Sequence, residues 1–308
     1  MTIALVMILV ISGLVWPQGP LQGFARKQSA GVSAEGPGKP ATPLKRRYQE
    51  GQKLTYHMKG INQDWRYQID AIGVVKKDSA GRYFEEYGWS NFSSSRSGDS
   101  LPAASANFRQ LVSLDPLYPP SIPDLRPMLM IVGPITDLLT FYADLQMAIR
   151  LGTLIRPGDH SYLKLGQSGS WADGAYVLLG EDSIDFDFTL KDINQADQTA
   201  TLVVRHVPPE KPVIKIPAPW MSAPVAGTAN NWVQIEKRSE GKYVGGIGKE
   251  TFEVEIKVSL SDGKILSVKM DNPVEVSERE CTDRELSSCG NARRYQIRRQ
   301  IEMYLAEN

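Results

Sequence analysis

The sequence predicts an α+β fold that is mainly antiparallel β: a strongly curved sheet or half-barrel with one main helix, about residues 135–151, packed against it. Three observations point there. Alternation of apolar and polar side chains recurs along most of the chain, and Phe252, Val254, Ile256, Val258 and Leu260 set against Glu253, Glu255, Lys257 and Ser259 show it most clearly. Turn sequences separate such runs, among them Asp78-Ser-Ala-Gly81, Asn194-Gln-Ala-Asp197 and Asp262-Gly263. One segment repeats its apolar residues at helical spacing: Leu138, Tyr142, Leu145 and Ile149, widened by Leu139 and Phe141. Strands with one apolar and one polar face form a sheet covered on one side. At roughly eight strands such a sheet curls.

The elements follow in order. Met1–Ala25 carries no charged side chain, and Ile3–Trp16 is an almost unbroken apolar block ahead of Pro17, Gly19, Pro20 and Gly23. This reads as a signal peptide over residues 1–25, and it places the mature chain outside the cytoplasm, periplasmic or extracellular. The block falls short of the roughly 20 apolar residues of a spanning helix. No basic residue precedes it, so an uncleaved N-terminal anchor is the alternative. Residues 26–45 hold almost nothing to bury and read as a flexible tether. Residues 46–308 remain as a single β-rich domain with Pro-rich insertions at 115–134 and 208–231.

Within that domain Leu54, Tyr56 and Met58 alternate with Thr55, His57 and Lys59 as a first strand. Tyr67–Lys76 and Tyr83–Phe92 form a hairpin about the Asp78–Gly81 turn, and Phe108–Leu114 is a further short strand. The helix follows, with Pro134 in its first turn and Gly152 as its stop signal. Asp137, Asp144 and Gln146 interrupt it too often for a membrane span. Tyr176–Leu179 is a brief apolar run, Ile184–Lys191 pairs with Thr199–Val207, and Phe252–Leu260 pairs with Ile265–Met270. Tyr295–Leu305 fits a strand like its neighbours.

Charge and cysteine content narrow the function. The 35 basic side chains balance the 35 acidic ones, which leaves no general attraction to nucleic acid or to an anionic surface. Cys281 and Cys289 are the only cysteines, in a short polar segment. In an exported protein such a pair reads as a disulfide closing a small loop. His57, His160 and His206 are scattered without ligand-like spacing, so no metal site or cofactor is expected.

The chemical motifs are weak. Gly245-Gly-Ile-Gly248-Lys249 lacks the first glycine of a phosphate loop and has Glu250 where Ser or Thr belongs, so a turn is expected there. Gly166-Gln-Ser168-Gly-Ser170 departs from a nucleophile elbow at its last position. Glu181, Asp182, Asp185 and Asp187, with Asp173 upstream, read as a solvated strand face in preference to a calcium or glycosidase site. Trp171, Trp220 and Trp232 lie in Gly-, Pro- or Asn-rich contexts; they are the candidate ligand-binding residues, with capping of the core as the alternative. No catalytic residue emerges.

Gly51-Gln-Lys-Leu54-Thr-Tyr56, opening a run of long alternating strands over residues 50–92, resembles the start of the half-barrel lipid and lipoprotein carriers of the bacterial envelope, the lipoprotein-localisation-factor group. The resemblance implies a curved sheet with the helix in its concave face and an envelope-associated binding role. It transfers no functional residue, and the Pro-rich segments depart from a minimal carrier. The expectation is an exported, non-catalytic protein that binds an apolar small molecule or lipid. An envelope structural or protein-interaction module, with another envelope protein as partner, is the alternative, and a secreted hydrolase the third.

Overall fold

The computed structural model describes residues 42–115, 124–165, 175–178, 184–207, 218–238 and 241–306. The signal-peptide and most of the tether expectations, part of each Pro-rich insertion, the Gly166–Ser170 motif, Asp173, Glu181, Asp182 and Trp171 lie outside the described residues.

Antiparallel strands dominate: β1 (Lys53–Asn62), β2 (Trp65–Lys77), β3 (Tyr83–Ser94), β4 (Gln110–Val112), β5 (His160–Leu165), β6 (Ala175–Leu178), β7 (Ile184–Asn194), β8 (Thr199–Val207), β9 (Trp232–Lys237), β10 (Tyr243–Glu250), β11 (Phe252–Ser259), β12 (Ile265–Cys281) and β13 (Arg293–Leu305). Among the described residues the one α-helix, α1, is Val132–Leu151, and it stops at Gly152 in the left-handed conformation (φ +64°). The strands join one sheet in the order β4-β3-β2-β1-β13-β12-β11-β8-β7-β5, with β10, β9 and β6 branching from β12. The sheet is curved but not closed, a half-barrel.

Its curvature has local causes. Gly60 faces Tyr67 across β1 and β2, and a Cβ on Gly60 would meet the Tyr67 ring at 2.0 Å. Gly73 and Tyr87 repeat the arrangement between β2 and β3, at 2.4 Å. Each ring lies flat over a bare backbone, which lets the sheet bend inward without a void. Register shifts at Gln68/Asp70, Leu190/Asp192 and Lys257/Val258 add twist.

The concave face is apolar and encloses α1. Tyr56, Met58, Ile69, Phe188, Ile256, Val268 and Met270 belong to one continuous core with Ile135, Leu138, Phe141, Tyr142 and Leu145 of the helix. Residues on every side of α1 are buried, polar ones included. Thr42–Lys45, expected as the end of the tether, pack instead: Leu44 is fully buried and the Thr42 hydroxyl donates to the Leu154 carbonyl at 2.9 Å.

The Gly245–Lys249 segment, expected as a turn, is a strand. β12 is long enough to change partners: its first part pairs with β11 and its last part with β10. The change falls at Pro273, whose carbonyl accepts from the Thr251 amide at 3.0 Å. Beyond it a second small core gathers Met221, Val233, Ile247, Cys281 and Leu286. The sulfurs of Cys281 and Cys289 sit 2.03 Å apart beside it.

A Cβ at Gly248 would lie 2.7 Å from the Glu275 carbonyl oxygen and 3.0 Å from Trp232 Cε3, whereas at Gly133 it would meet nothing within 4 Å. Gly248→Ala is expected to destabilise by about 1–3 kcal/mol, and Gly133→Ala to stabilise by about 0.4–1 kcal/mol. Urea-unfolding midpoints of the two variants check both signs.

Candidate functional site: the buried polar groups of the half-barrel

The two described tryptophans among the expected ligand-binding residues converge on one strand. Trp232, which opens β9 and is 2 % exposed, lies over Gly246 and Gly248 on one face of β10. Trp220, in a short 3-10 turn, lies over Gly245 on the other face and donates its Nε1–H to the Leu286 carbonyl at 2.9 Å. The Arg279 guanidinium stands 5.0 Å from its ring centre. Both rings occupy space that the glycines leave open, one at the main core and one at the small core.

The histidines carry no nucleophile. His57 Nδ1 lies 2.6 Å from Asp70, which also accepts from Asn91 at 2.7 Å. His160 Nε2 lies 2.6 Å from Asp187. His206 is wedged between Phe186 and Phe252, with ring centres at 4.5 and 4.0 Å. Among the described residues no serine hydroxyl is hydrogen-bonded to any of them. The acidic strand face is not simply solvated: Asp185 is buried and accepts at 2.5 Å from the hydroxyl of Tyr162, which reaches it diagonally from the neighbouring strand β5. Among the described residues no three His, Cys, Asp or Glu side chains group as a metal site.

The interior holds the polar groups that sequence reading missed. Arg46 Nε donates to Glu85 at 3.1 Å, and the Tyr87 hydroxyl donates to the same carboxylate at 2.8 Å. Tyr142 of α1 adds a third donor to Glu85 and lies 2.7 Å from the Tyr87 hydroxyl. Arg46 also reaches the Asp262 carbonyl at 3.2 Å and Gln52 at 2.8 Å, so one guanidinium joins the N-terminal segment, β3 and the β11–β12 turn. Burial pushes both tyrosine hydroxyls well above their ordinary range, with the Glu85 charge acting in the same direction.

A second site lies one turn and a half along the helix. Asp137 pairs with Arg299 of β13 and accepts from the Tyr67 hydroxyl at 3.2 Å. Gln146 donates to the Ser113 and Asp115 carbonyls at 3.3 and 2.8 Å, beyond the end of β4. Asp144 differs: it is 0 % exposed, and among the described residues neither carboxyl oxygen has a hydrogen-bond partner. Burial alone pushes its carboxyl well above the usual range.

Glu250 sits where β10 hands over to β11. Asn272 donates to its carboxyl at 2.9 Å, while Asn231 pairs with its backbone at 2.7 and 3.0 Å. Burial pushes the Glu250 carboxyl up to about 7, against the Asn272 hydrogen bond.

The polar face of the sheet carries a separate feature. A trough of about 930 Å³ crosses β3, β2, β1, β13, β12 and β11, lined by Lys59, Arg66 and Lys269 beside Glu253, Glu255 and Glu302. Arg205 and Lys191 at its margin hold Glu253 and Glu255 at 2.6 and 2.7 Å.

Comparison of the chain with family models, with curated proteins and with solved structures finds no match in any of the three. Among the described residues no helix is long and apolar enough to cross a membrane.

Two predictions follow from the geometry of the charges. Arg46→Met strands the Glu85 charge and is expected to cost about 3–5 kcal/mol. Adding Glu85→Gln removes that charge and should recover a large part of the loss, read from a double-mutant cycle in urea.

The pH dependence involves opposite signs. Glu250 holds its proton to about 7 when folded, so its contribution to stability is full below about 4.5, falls as pH rises, and levels off above about 7. His206, lowered to about 3 by burial with Nε2 sealed and unpartnered, contributes the reverse: stability falls as pH drops from about 6.5 towards 3. The two slopes oppose each other between about pH 4.5 and 6.5. Relative to the parent, Glu250→Gln should gain stability with rising pH in that window, and His206→Phe should lose it. Denaturation midpoints at half-unit pH steps give both difference curves.

Proposed function

We propose that the chain is an exported, non-catalytic binding protein that takes an apolar or lipid-like ligand against the concave face of its half-barrel, with α1 as the displaceable filling of that face. The observation that carries this reading is the mismatch between α1 and its seat. A helix enclosed on all sides by an apolar sheet is expected to be apolar all round. α1 instead buries Asp137, Thr140, Asp144 and Gln146, and Asp144 finds no partner there. The surrounding seat also leaves Trp89 Nε1 and Gln110 Oε1 unpartnered. Each such group costs about 1–3 kcal/mol relative to solvation, so α1 is held less firmly than its apolar contacts alone would hold it. The surface it covers, including Tyr56, Met58, Phe188, Ile256 and Met270, is chemically suited to an acyl or other apolar chain. In this reading the ligand contacts pass from Trp220 and Trp232, which are occupied by β10, to the concave face.

A second reading rests on the trough. Its charges of both signs, on a face that the chain's own helix does not cover, suit a polar partner such as another envelope protein.

Native mass spectrometry of the protein purified from its own host, before and after organic extraction, tests the first reading. A lipid-sized adduct lost on extraction is expected, and the extracted protein should enhance 1-N-phenylnaphthylamine fluorescence in competition with palmitate. Adduct-free protein with no fluorescence gain would overturn it.

A further inference from the structure

We infer that release of α1 from the half-barrel is proton-linked through Asp144, which is a neutral acid while the helix is seated and ionises when the helix leaves. The inference rests on the reading of α1 as a displaceable filling.

Asp144 follows Asp137 by seven residues, two helical turns, so both project from one face of α1. The structure treats them in opposite ways. Asp137 meets the Arg299 guanidinium and the Tyr67 hydroxyl, two donors directed at its carboxyl group. Asp144 meets no donor among the described residues, and both of its oxygens are sealed from solvent. An ionised carboxylate in such a place would forfeit its hydration for nothing, and the group stays neutral instead.

The charged and titratable groups described around the helix do not change this; the 3-10 segment Arg126–Ile131 ahead of it buries Met128 and Ile131, both apolar. On α1 itself, Asp137 is engaged by Arg299, and Arg150 lies half-buried at the C-terminal end. From β13, Arg299 is committed to Asp137; from β3, Glu85 is committed to Arg46, Tyr87 and Tyr142. From β2, Tyr67 donates to Asp137. β4 brings Gln110 and Val112, and β11 brings Phe252, Val254, Ile256 and Val258, none of them charged. Burial is the sole cause acting on the Asp144 carboxyl.

The linkage then has a definite sign. Out of its seat Asp144 titrates near the ordinary value of about 4. Between that value and the much higher point at which it would ionise in place, seating α1 requires taking up one proton. Each unit of rising pH therefore favours the released helix about tenfold. Low pH keeps α1 in; higher pH lets it out.

Hydrogen exchange of the full-length chain, followed by mass spectrometry between pH 6 and 8, reads this directly. Intrinsic amide exchange accelerates about tenfold per pH unit, and amides that open through proton-linked release accelerate about a hundredfold. Amides of α1 are expected to exchange ahead of those of β1 and β13 and with the steeper slope, which β1 and β13 share only where the whole fold opens and exposes Asp144 with it. Asp144→Asn should return α1 to the ordinary slope, and Asp144→Leu should do the same if the amide is poorly accommodated. If α1 opens separately from the sheet at the ordinary slope, the proton linkage is overturned while the displaceable helix stands. If α1 exchanges only together with β1 and β13, at either slope, the displaceable helix and the linkage fall together.

Discussion

Enclosing one helix within one curved sheet is the constraint from which the rest of this structure follows. α1 is buried on every side, so the sheet has to bend around it, and a sheet bends only where its side chains allow. The Gly60–Tyr67 and Gly73–Tyr87 pairs supply that freedom on β1, β2 and β3. Tyr67 and Tyr87 then serve twice. Their rings fill the space above the glycines, and their hydroxyls reach polar groups tied to α1, Asp137 in one case and Glu85 with Tyr142 in the other. Bending and helix placement are thus joined in the same residues.

The same exchange of glycine for aromatic ring organises the far end of the sheet. β10 carries Gly245, Gly246 and Gly248, and tryptophans press on it from both faces. That arrangement lets a thin strand sit between the main core and the smaller one. Pro273 and Thr251 mark the point at which β12 leaves β11 for β10, and Asn272, Asn231 and Glu250 satisfy the backbone and side-chain groups exposed by the change. The buried carboxyl of Glu250 is therefore a consequence of the strand exchange.

Period-2 alternation made β1, β2, β3, β7, β11 and β13 legible, because each has one mainly buried face and the signal is local; β8, buried on both faces over its first six residues, was legible from its apolar run after the Asn194–Asp197 turn. The helix was legible because its largest apolar residues recur at helical spacing, although every side of it is buried. β10 was not, since a strand covered by Trp220 and Trp232 on both faces has no alternation, and its glycines resemble a turn unless the distant rings are known. The second part of β12 was missed because its partner was the unrecognised β10. Glu85, Asp137 and Asp144 read as ordinary polar punctuation in apolar segments; their burial depends on enclosure from several strands, which no window of sequence contains. The Cys281/Cys289 pair needed only its own loop and could be read directly.

The buried polar groups of α1 make sense as devices of register more than of stability. A helix surrounded by an apolar wall can rotate or slide with little loss of contact area, because dispersion and hydrophobic burial are non-directional. Three directed contacts remove that freedom: Asp137 to Arg299, Tyr142 to Glu85, and Gln146 to the carbonyls beyond β4. They leave the helix at different angles and at successive turns, so together they specify both rotation and height. Buried ion pairs contribute little net stability, since desolvation offsets most of their attraction. What they penalise is any other seating, in which Arg299 or Glu85 would be left buried without its partner. Thr140 and Asp144 stand outside this scheme: the Thr140 hydroxyl donates within the helix to the Thr136 carbonyl, while Asp144 has no hydrogen-bond partner among the described residues. Its carboxyl costs the seated helix free energy without specifying the seat, which is the behaviour expected of a group retained for the unseated state.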